Sequence, residues 1–530
     1  MSLRTFAYAS PLYRFTLIGK APERLLGTPP VLGPGSAEAG AGILEGSYSF
    51  LGQRLDFDGF DALPADGGET CLGEIHCFSW LGDLRAIGTD AACKRARELV
   101  DSWIASNQRW HPLSWRPDVL GQRLANWLTQ FVFITAEADD DFRRRVFSSI
   151  SMQARHLARA VPEKNGASRL LRAIKGLIYC GVCLPGDGRY LKTGLRLLKA
   201  ETDRQILGDG GHIERNPQRQ AEVLGDFVGL RQTLAAAHHE VPDWMQGAID
   251  RMAPMLRGLR HGDGGLAMFN GGVEGDREDI DSLLAAAGVK GKPPSIFPHS
   301  GFHRLSAGRT LVIADTGPAP PAGADGGAHA GTLSFEMSAG KERLIVNCGA
   351  HQGDDELWRD SMRCTAAHST VVINDTNSAE IVSGGGIAKG PGEVVSQRRE
   401  VDGSILVEAS HQGYKRLFGV VHRRRYYISA DGLDVRGEDT LSGGSGHDFA
   451  ARFHLHPLNK ALGVQDGSAV LLKLPSRKGW RFRASGGRLS LEEGVYLGSG
   501  AEARKCEQIV ISGRLGGGET TIKWRLSMEG

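Results

Sequence analysis

From about Asp90 onward, apolar side chains recur every three to four residues. Within residues 91–106, Ala92, Ala96, Leu99 and Trp103 share one face, with Val100 and Ile104 beside them, which is the stripe of a helix packed on a core. The same period runs through residues 120–134, 139–161, 167–183, 190–206, 217–239 and 242–260. Pro242 stands near a first turn, where a helix tolerates proline. Consecutive amphipathic helices joined by short polar loops predict an all-α domain, and the pattern suits a toroid of helical hairpins or a solenoid equally well.

After Lys290 the period falls to two. The linker of residues 291–295, Gly-Lys-Pro-Pro-Ser, leads into alternating segments at 302–305, 310–314, 332–337, 343–347 and 369–373, then 404–409, 420–429 and 432–439. Each ends on Gly, Asp or Ser turns, and roughly fifteen such strands predict a large antiparallel sandwich. Residues 318–327 read as a flexible loop, and residues 1–85, rich in Gly and Pro, as an irregular N-terminal extension. The expected chain is thus a multidomain α+β protein: the extension, helices over 86–290 and an antiparallel β-sandwich over 296–530.

Composition narrows the function. A chain of 530 residues exceeds one ordinary core. Its 63 basic and 61 acidic residues leave a net charge of +2, too little to hold nucleic acid or an anionic membrane by bulk field, so an anionic ligand needs local arginines. Cys180 and Cys183 have metal-like spacing but sit in an apolar run without a second pair, so core thiols are expected. The N-terminal residues show no apolar signal-peptide core, and no run approaches a membrane span. A cytoplasmic enzyme is the expectation, ahead of a periplasmic one.

Two stretches concentrate reactive groups. Gly208, Gly210 and Gly211 loosen a loop that carries Asp209, His212, Glu214, Arg215 and Asn216 before Pro217 starts a helix. A polar inter-helix loop capped by Asp209 and Asn216 explains the same residues. Residues 328–372 place His329 and His368 on what read as successive strands, with Asn347, Cys348, Trp358, Arg359 and Arg363 between them. Elsewhere Arg123 and Asn126 flank Trp127, pairing an aromatic with polar groups as sugar sites do, and Asn165 and Gly166 precede a helix.

The order of these segments resembles the heparinase II/III-like polysaccharide lyases over about residues 75–460. The family's "R-S-T-x-x-H-N-T" segment is matched by Arg363-Cys364-Thr365-Ala366-Ala367-His368-Ser369-Thr370, and its "D-G-S-H-x-E-Q-S-x-x-Y" segment by the loop from Asp209, with His212 and Glu214 in place. Arg215 replaces the glutamine, and Arg219 stands at the tyrosine that relatives use for proton transfer. The resemblance implies an α/α toroid-like domain before the sandwich, and β-elimination on a uronate-containing poly- or oligosaccharide. That reaction neutralises the C5 carboxylate, removes its α-proton and protonates the leaving oxygen.

His212, Glu214, Arg215, His329 and Arg363 would then be the catalytic set, converging on one cleft, with His212 the proton-transfer residue and Arg363 gripping the carboxylate bidentately. Asn165, Arg123, Asn126, Asp209, Asn216, Trp358 and Tyr414 would line the substrate, although Gly166 lacks the histidine of relatives and Tyr414 also reads as structural. Zinc, where relatives have it, would fall to His329, Asn347 and His368. Asparagine is a poor stand-in for a carboxylate on zinc, so the metal is expected to be structural or absent. A homodimer is admitted. Two alternatives stay open: a glycoside hydrolase using Glu214 and Asp209, and a non-catalytic glycan-binding protein.

Overall fold

The computed structural model describes residues 3–50, 53–64, 67–161, 166–464 and 467–529. The chain divides into two compact units, one of residues 1–205, 223–249 and 285–287, the other of residues 206–222, 250–284 and 288–530.

The first unit is helical. The predicted periods appear as helices Asp90–Ser106, Pro117–Thr129, Asp140–Ala160, Ala167–Cys183 and Arg189–Gln205. Local chemistry fixes their starts: the Thr89 hydroxyl accepts from the Ala92 N–H, Asp139 accepts from the Phe142 N–H, and Pro117 occupies a first turn. Helices Pro117–Thr129 and Ala167–Cys183 touch backbone to backbone, since a Cβ on Gly176 would lie 2.3 Å from the Gly121 carbonyl oxygen. Phe78, Trp80, Trp103 and Trp127 form an aromatic core with edge-on contacts. The segment read as irregular carries the helices Leu3–Ala9, Tyr13–Leu17, Ala37–Leu44, Glu69–Cys77 and Leu81–Ile87 and the strand pair Ser47–Phe50 and Gln53–Asp56. Cys180 and Cys183 are buried free thiols, and burial pushes Cys183 up to about 12.

The second unit is built on two antiparallel sheets. One, eight-stranded, runs in spatial order Val394–Val401, Ser404–His411, Val421–Ile428, Asp434–Ser442, Glu519–Met528, Gly479–Ser485, Ala469–Lys473 and Lys460–Val464. The other contains Thr310–Asp315, Phe335–Ala339, Glu342–Val346, Asp448–Leu455 and Arg504–Arg514. Strict alternation of buried and half-buried positions along Ser404–His411 and Val421–Ile428 turns one face inward. Phe335, Tyr426, Phe453, Phe482 and Trp524 meet between the sheets. Met255, Leu259 and Phe269 pack on Phe297, Phe302 and Ile313, which seats residues 250–270 against the sheet.

A charged network lies inside this sandwich. Asp439 accepts from His422 Nε2 at 2.7 Å, from Arg424 Nε at 2.5 Å and from Trp524 Nε1 at 3.1 Å, while Arg424 also donates to the Leu333 and Ser369 carbonyls. His422, Arg424 and Asp439 are wholly buried.

His329 and His368 were expected on strands, but both lie outside them. His368 follows the 3-10 turn Thr365–Ala367, and the Trp358 cluster forms a helix, Glu356–Arg363, capped by Asp355. A further helix, Arg277–Ala287, was not read from the sequence. Among the described residues no helix is long and apolar enough to cross a membrane.

Candidate active site

The loop before Pro217 is a packed device. Asp209 Oδ2 accepts from the backbone N–H groups of His299 and Ser300 at 2.9 and 2.7 Å and from the Ser300 hydroxyl. Gly210 has φ +86°, and a Cβ there would fall 2.1 Å from the Arg251 carbonyl, so glycine is required for this closure. Gln220 accepts from the His212 N–H at 2.7 Å and donates to the Gly210 carbonyl, fastening the loop to its own following helix. His212 is buried, and its Nδ1 accepts from the Glu214 N–H at 3.4 Å.

Arg215, expected to act on substrate, is instead held for structure. It is buried, donates to the Ser300 and Pro318 carbonyls, pairs with Asp315, and lies 4.8 Å over the Phe302 ring. Burial raises the Asp315 carboxyl, against which the Arg215 guanidinium pulls it down. Asn216 caps the next helix by accepting from the Gln218 and Arg219 N–H groups, and donates to the Asn270 carbonyl at 2.9 Å. Arg219, at the position of the family tyrosine, pairs with Glu222 at 2.5 Å and lies 4.0 Å from Glu214.

Asn270 joins this loop to the histidine pair. Its side chain donates to the Arg215 carbonyl at 3.2 Å and accepts from the His329 N–H at 3.4 Å. It was missed in the sequence. The available signal was an asparagine before two glycines at a turn, and Asn270 has φ +49°.

His329 Nδ1 lies 3.1 Å from His368 Nε2, and His368 Nδ1 lies 2.8 Å from the Cys364 carbonyl. A carbonyl only accepts, so His368 carries its proton on Nδ1 and receives one at Nε2 from His329. Neutral His329 therefore keeps a lone pair on Nε2. Burial, the largest cause, depresses both, His329 well below the ordinary value and His368 to about 4. His454 is likewise structural: Nε2 donates to the Ala366 carbonyl, Nδ1 faces the Cys348 thiol, and burial lowers it to about 3.

These residues do not fit zinc. The His368 Nε2 lone pair is taken by His329. The Asn347 amide is divided between the Met268 carbonyl and the Ser369 N–H. A carboxylate does lie beneath it, since Glu336 accepts from the Asn347 N–H at 3.0 Å, but its other oxygen is bonded to His261 at 2.9 Å. Among the described residues no three His, Cys, Asp or Glu groups are placed to hold a metal.

The other expected ligand groups are also bonded internally. The Arg363 guanidinium donates to the Ala328, Val382 and Gly386 carbonyls and to Asp360, which replaces the expected carboxylate grip. Tyr414 is fully buried with its hydroxyl on the Val371 carbonyl, an anchor for the sandwich and not a substrate contact. Trp358 packs against Cys348, Met362, Ala367 and Leu497. In the helical unit, Arg123 is buried with its donors on Gln153 and on the His76 and Ser114 carbonyls, and Asn126 donates to the Cys77 carbonyl. Asn165 lies outside the described residues.

Residues 89–289 match the family model "Heparinase II/III N-terminus" and residues 289–525 match "Heparinase II/III-like, C-terminal". FtsZ-localized protein C of Caulobacter vibrioides is 30% identical over 98% of this chain and 93% of its own. The chain belongs to the heparinase II/III-like family. Its fold is shared with a crystal structure of heparinase III (TM-score 0.74, 15% identity, 91% of this chain and 80% of that one). It is shared also with the heparan sulfate lyase HepC of Pedobacter heparinus (TM-score 0.62, 15% identity, 93% and 82%). The heparinase II/III-like chain thus has a polysaccharide-lyase fold, a helical α/α domain followed by antiparallel sheets. The expectation of a cytoplasmic enzyme is corrected by the same comparison, because heparinase III homologues are generally secreted or periplasmic.

Proposed function

We propose that this protein works by binding, as an assembly protein on a polysaccharide-lyase scaffold, and that it does not perform β-elimination on a uronate-containing glycan. The observation that carries this reading is the fate of the cationic groups. Elimination needs a charge or amide donor turned toward the substrate carboxylate. Here Arg215 is fixed by Asp315 and two carbonyls, Arg363 by three carbonyls and Asp360, and Arg219 replaces the tyrosine and pairs with Glu222. The relative that is similar over nearly the whole chain is named for localising with FtsZ and not for a reaction. That name supports FtsZ as a protein partner.

A second reading, elimination on an acidic oligosaccharide, is favoured by one observation. His329 is neutral at pH 7, with an unprotonated Nε2 that suits a general base. Sedimentation with polymerised FtsZ tests the first reading. The full chain is expected to pellet with the polymers in proportion to their amount and to stay in solution without them. Failure to co-pellet at micromolar concentrations of both would remove FtsZ as the partner.

A further inference from the structure

The outer face of the eight-stranded sheet carries a groove of about 410 Å³, far along the chain from the loop and histidines described above. Register explains it. Leu406 pairs with Tyr427, Tyr427 with Arg436, Arg436 with Arg525, and Arg525 with Arg483, so one row crosses five strands. Three arginines stand directly opposite one another on three adjacent strands. Like charges so placed destabilise a sheet.

One carboxylate, Asp434, serves both Arg436 and Arg525, and Arg483 is exposed with no ion pair among the described residues. The neighbouring row is balanced: Glu408, Arg425, Glu438 and Lys523 alternate in sign and pair with one another. The excess positive charge is therefore confined to one wall. Further along that row, Leu406 and the Tyr427 ring are only partly buried and give the groove an apolar stretch, beyond which exposed Arg399 stands opposite Leu406 on the edge strand.

We propose that this groove binds an extended acidic peptide segment of a partner protein, with an apolar side chain on Leu406 and Tyr427 and carboxylates on Arg436, Arg525 and Arg483. Charge complementarity selects the occupant. A carboxylate accepts from a guanidinium with two parallel bonds, and three long guanidinium side chains on neighbouring strands, about 4.8 Å apart, can reach carboxylates on every second residue of an extended chain, about 6.8 Å apart on one face. Five strands span roughly 19 Å at that spacing, or about six residues of extended peptide. A uniformly charged polyanion fits less well, because Glu408 and Glu438 face it from the neighbouring row, and the Arg436 guanidinium lies 5.6 Å over the Tyr427 ring on which a sugar or base would stack. This groove shares no residue with the loop of Asp209–Asn216 or the His329–His368 pair, and its binding does not depend on FtsZ being the partner.

The test is fluorescence anisotropy on the full chain. The probe is a labelled octapeptide of two leucines followed by alternating glutamate and serine. Its counterpart with lysine in place of glutamate and a heparin octasaccharide serve as comparators. The acidic peptide is expected to bind at least about tenfold more tightly than the lysine peptide. The double variant Arg483→Glu with Arg525→Glu should weaken it by at least about tenfold, and Arg488→Glu on the other sheet should leave it unchanged. Both arginines are exposed, so melting temperature is expected to hold; if the double variant unfolds, Arg483→Gln alone should still weaken binding severalfold. Equal binding of both peptides, or undiminished binding by the folded variants, would overturn the proposal. So would heparin binding that the same variants abolish while the acidic peptide fails to bind, since the groove would then be a glycan site.

Discussion

Lowering the pH from 7 to about 4.5 is expected to unfold the sandwich unit, with the loss concentrated between about pH 6.5 and 4. Five histidines there are kept neutral by burial: His303 and His368 are lowered to about 4, His454 to about 3, and His329 and His411 well below the ordinary value. In the unfolded chain each titrates near 6.5. Protons therefore bind the unfolded state first. The stabilisation is complete above about 6.5 and is lost as pH falls toward each folded value. At 1.36 kcal/mol for each unit, His368 or His303 alone accounts for about 3 kcal/mol, and the set together rivals the 5–15 kcal/mol that holds a typical domain. Glu274, lowered to about 2 with help from His456, Arg343 and Tyr496 against the desolvation that would raise it, contributes only in the lower window between about 4.5 and 2. Melting temperature followed against pH checks this. A flat profile from pH 7 to 4.5 would mean that these rings are solvated or already charged in the folded protein.

Asp439→Ala is expected to cost about 3–5 kcal/mol, the range for removing one partner of a buried ion pair. The change leaves the Arg424 guanidinium wholly buried without its carboxylate, and takes the acceptor from His422 and Trp524 as well. For a unit of this size the melting temperature should fall by roughly 10 °C. Asp434→Ala is the contrast, because its partners Arg436 and Arg525 are about half exposed and such pairs contribute less than about 1 kcal/mol. Calorimetry on both variants decides it, and similar melting temperatures for the two would contradict the network's role.

Much of the architecture was legible because periodicity reports burial directly. Ala92, Ala96, Leu99 and Trp103 were read as one face and are all buried on Asp90–Ser106. The strand Ser404–His411 was legible for the same reason, since Ile405, Val407 and Ala409 recur every second position and all turn inward. Glu356–Arg363 was missed because eight residues give barely two turns, most of them polar, and its start depends on the Asp355 cap. The candidate site was less legible, since what decides a polar residue's role is its partner. Arg215 reads as a substrate-facing cation until Asp315 is placed beside it, 100 positions away. Arg363 reads as a carboxylate grip until Ala328, Val382 and Gly386 turn their carbonyls toward it. The departures at Asn347 and Arg219 were visible in the sequence; that His368 already spends its lone pair on His329 was not.

The cations that elimination would need, Arg215 and Arg363, are committed to the fold. Ultraviolet absorbance of unsaturated uronate, followed during incubation of the full chain with heparan sulfate, heparin, chondroitin sulfate and alginate, tests it most directly. Absorbance is expected to stay at the level of the protein-free control with every glycan. A steady rise with any of them, lowered at least about a hundredfold by His212→Ala or His329→Ala in a folded protein, would show a working general acid or base and contradict the account.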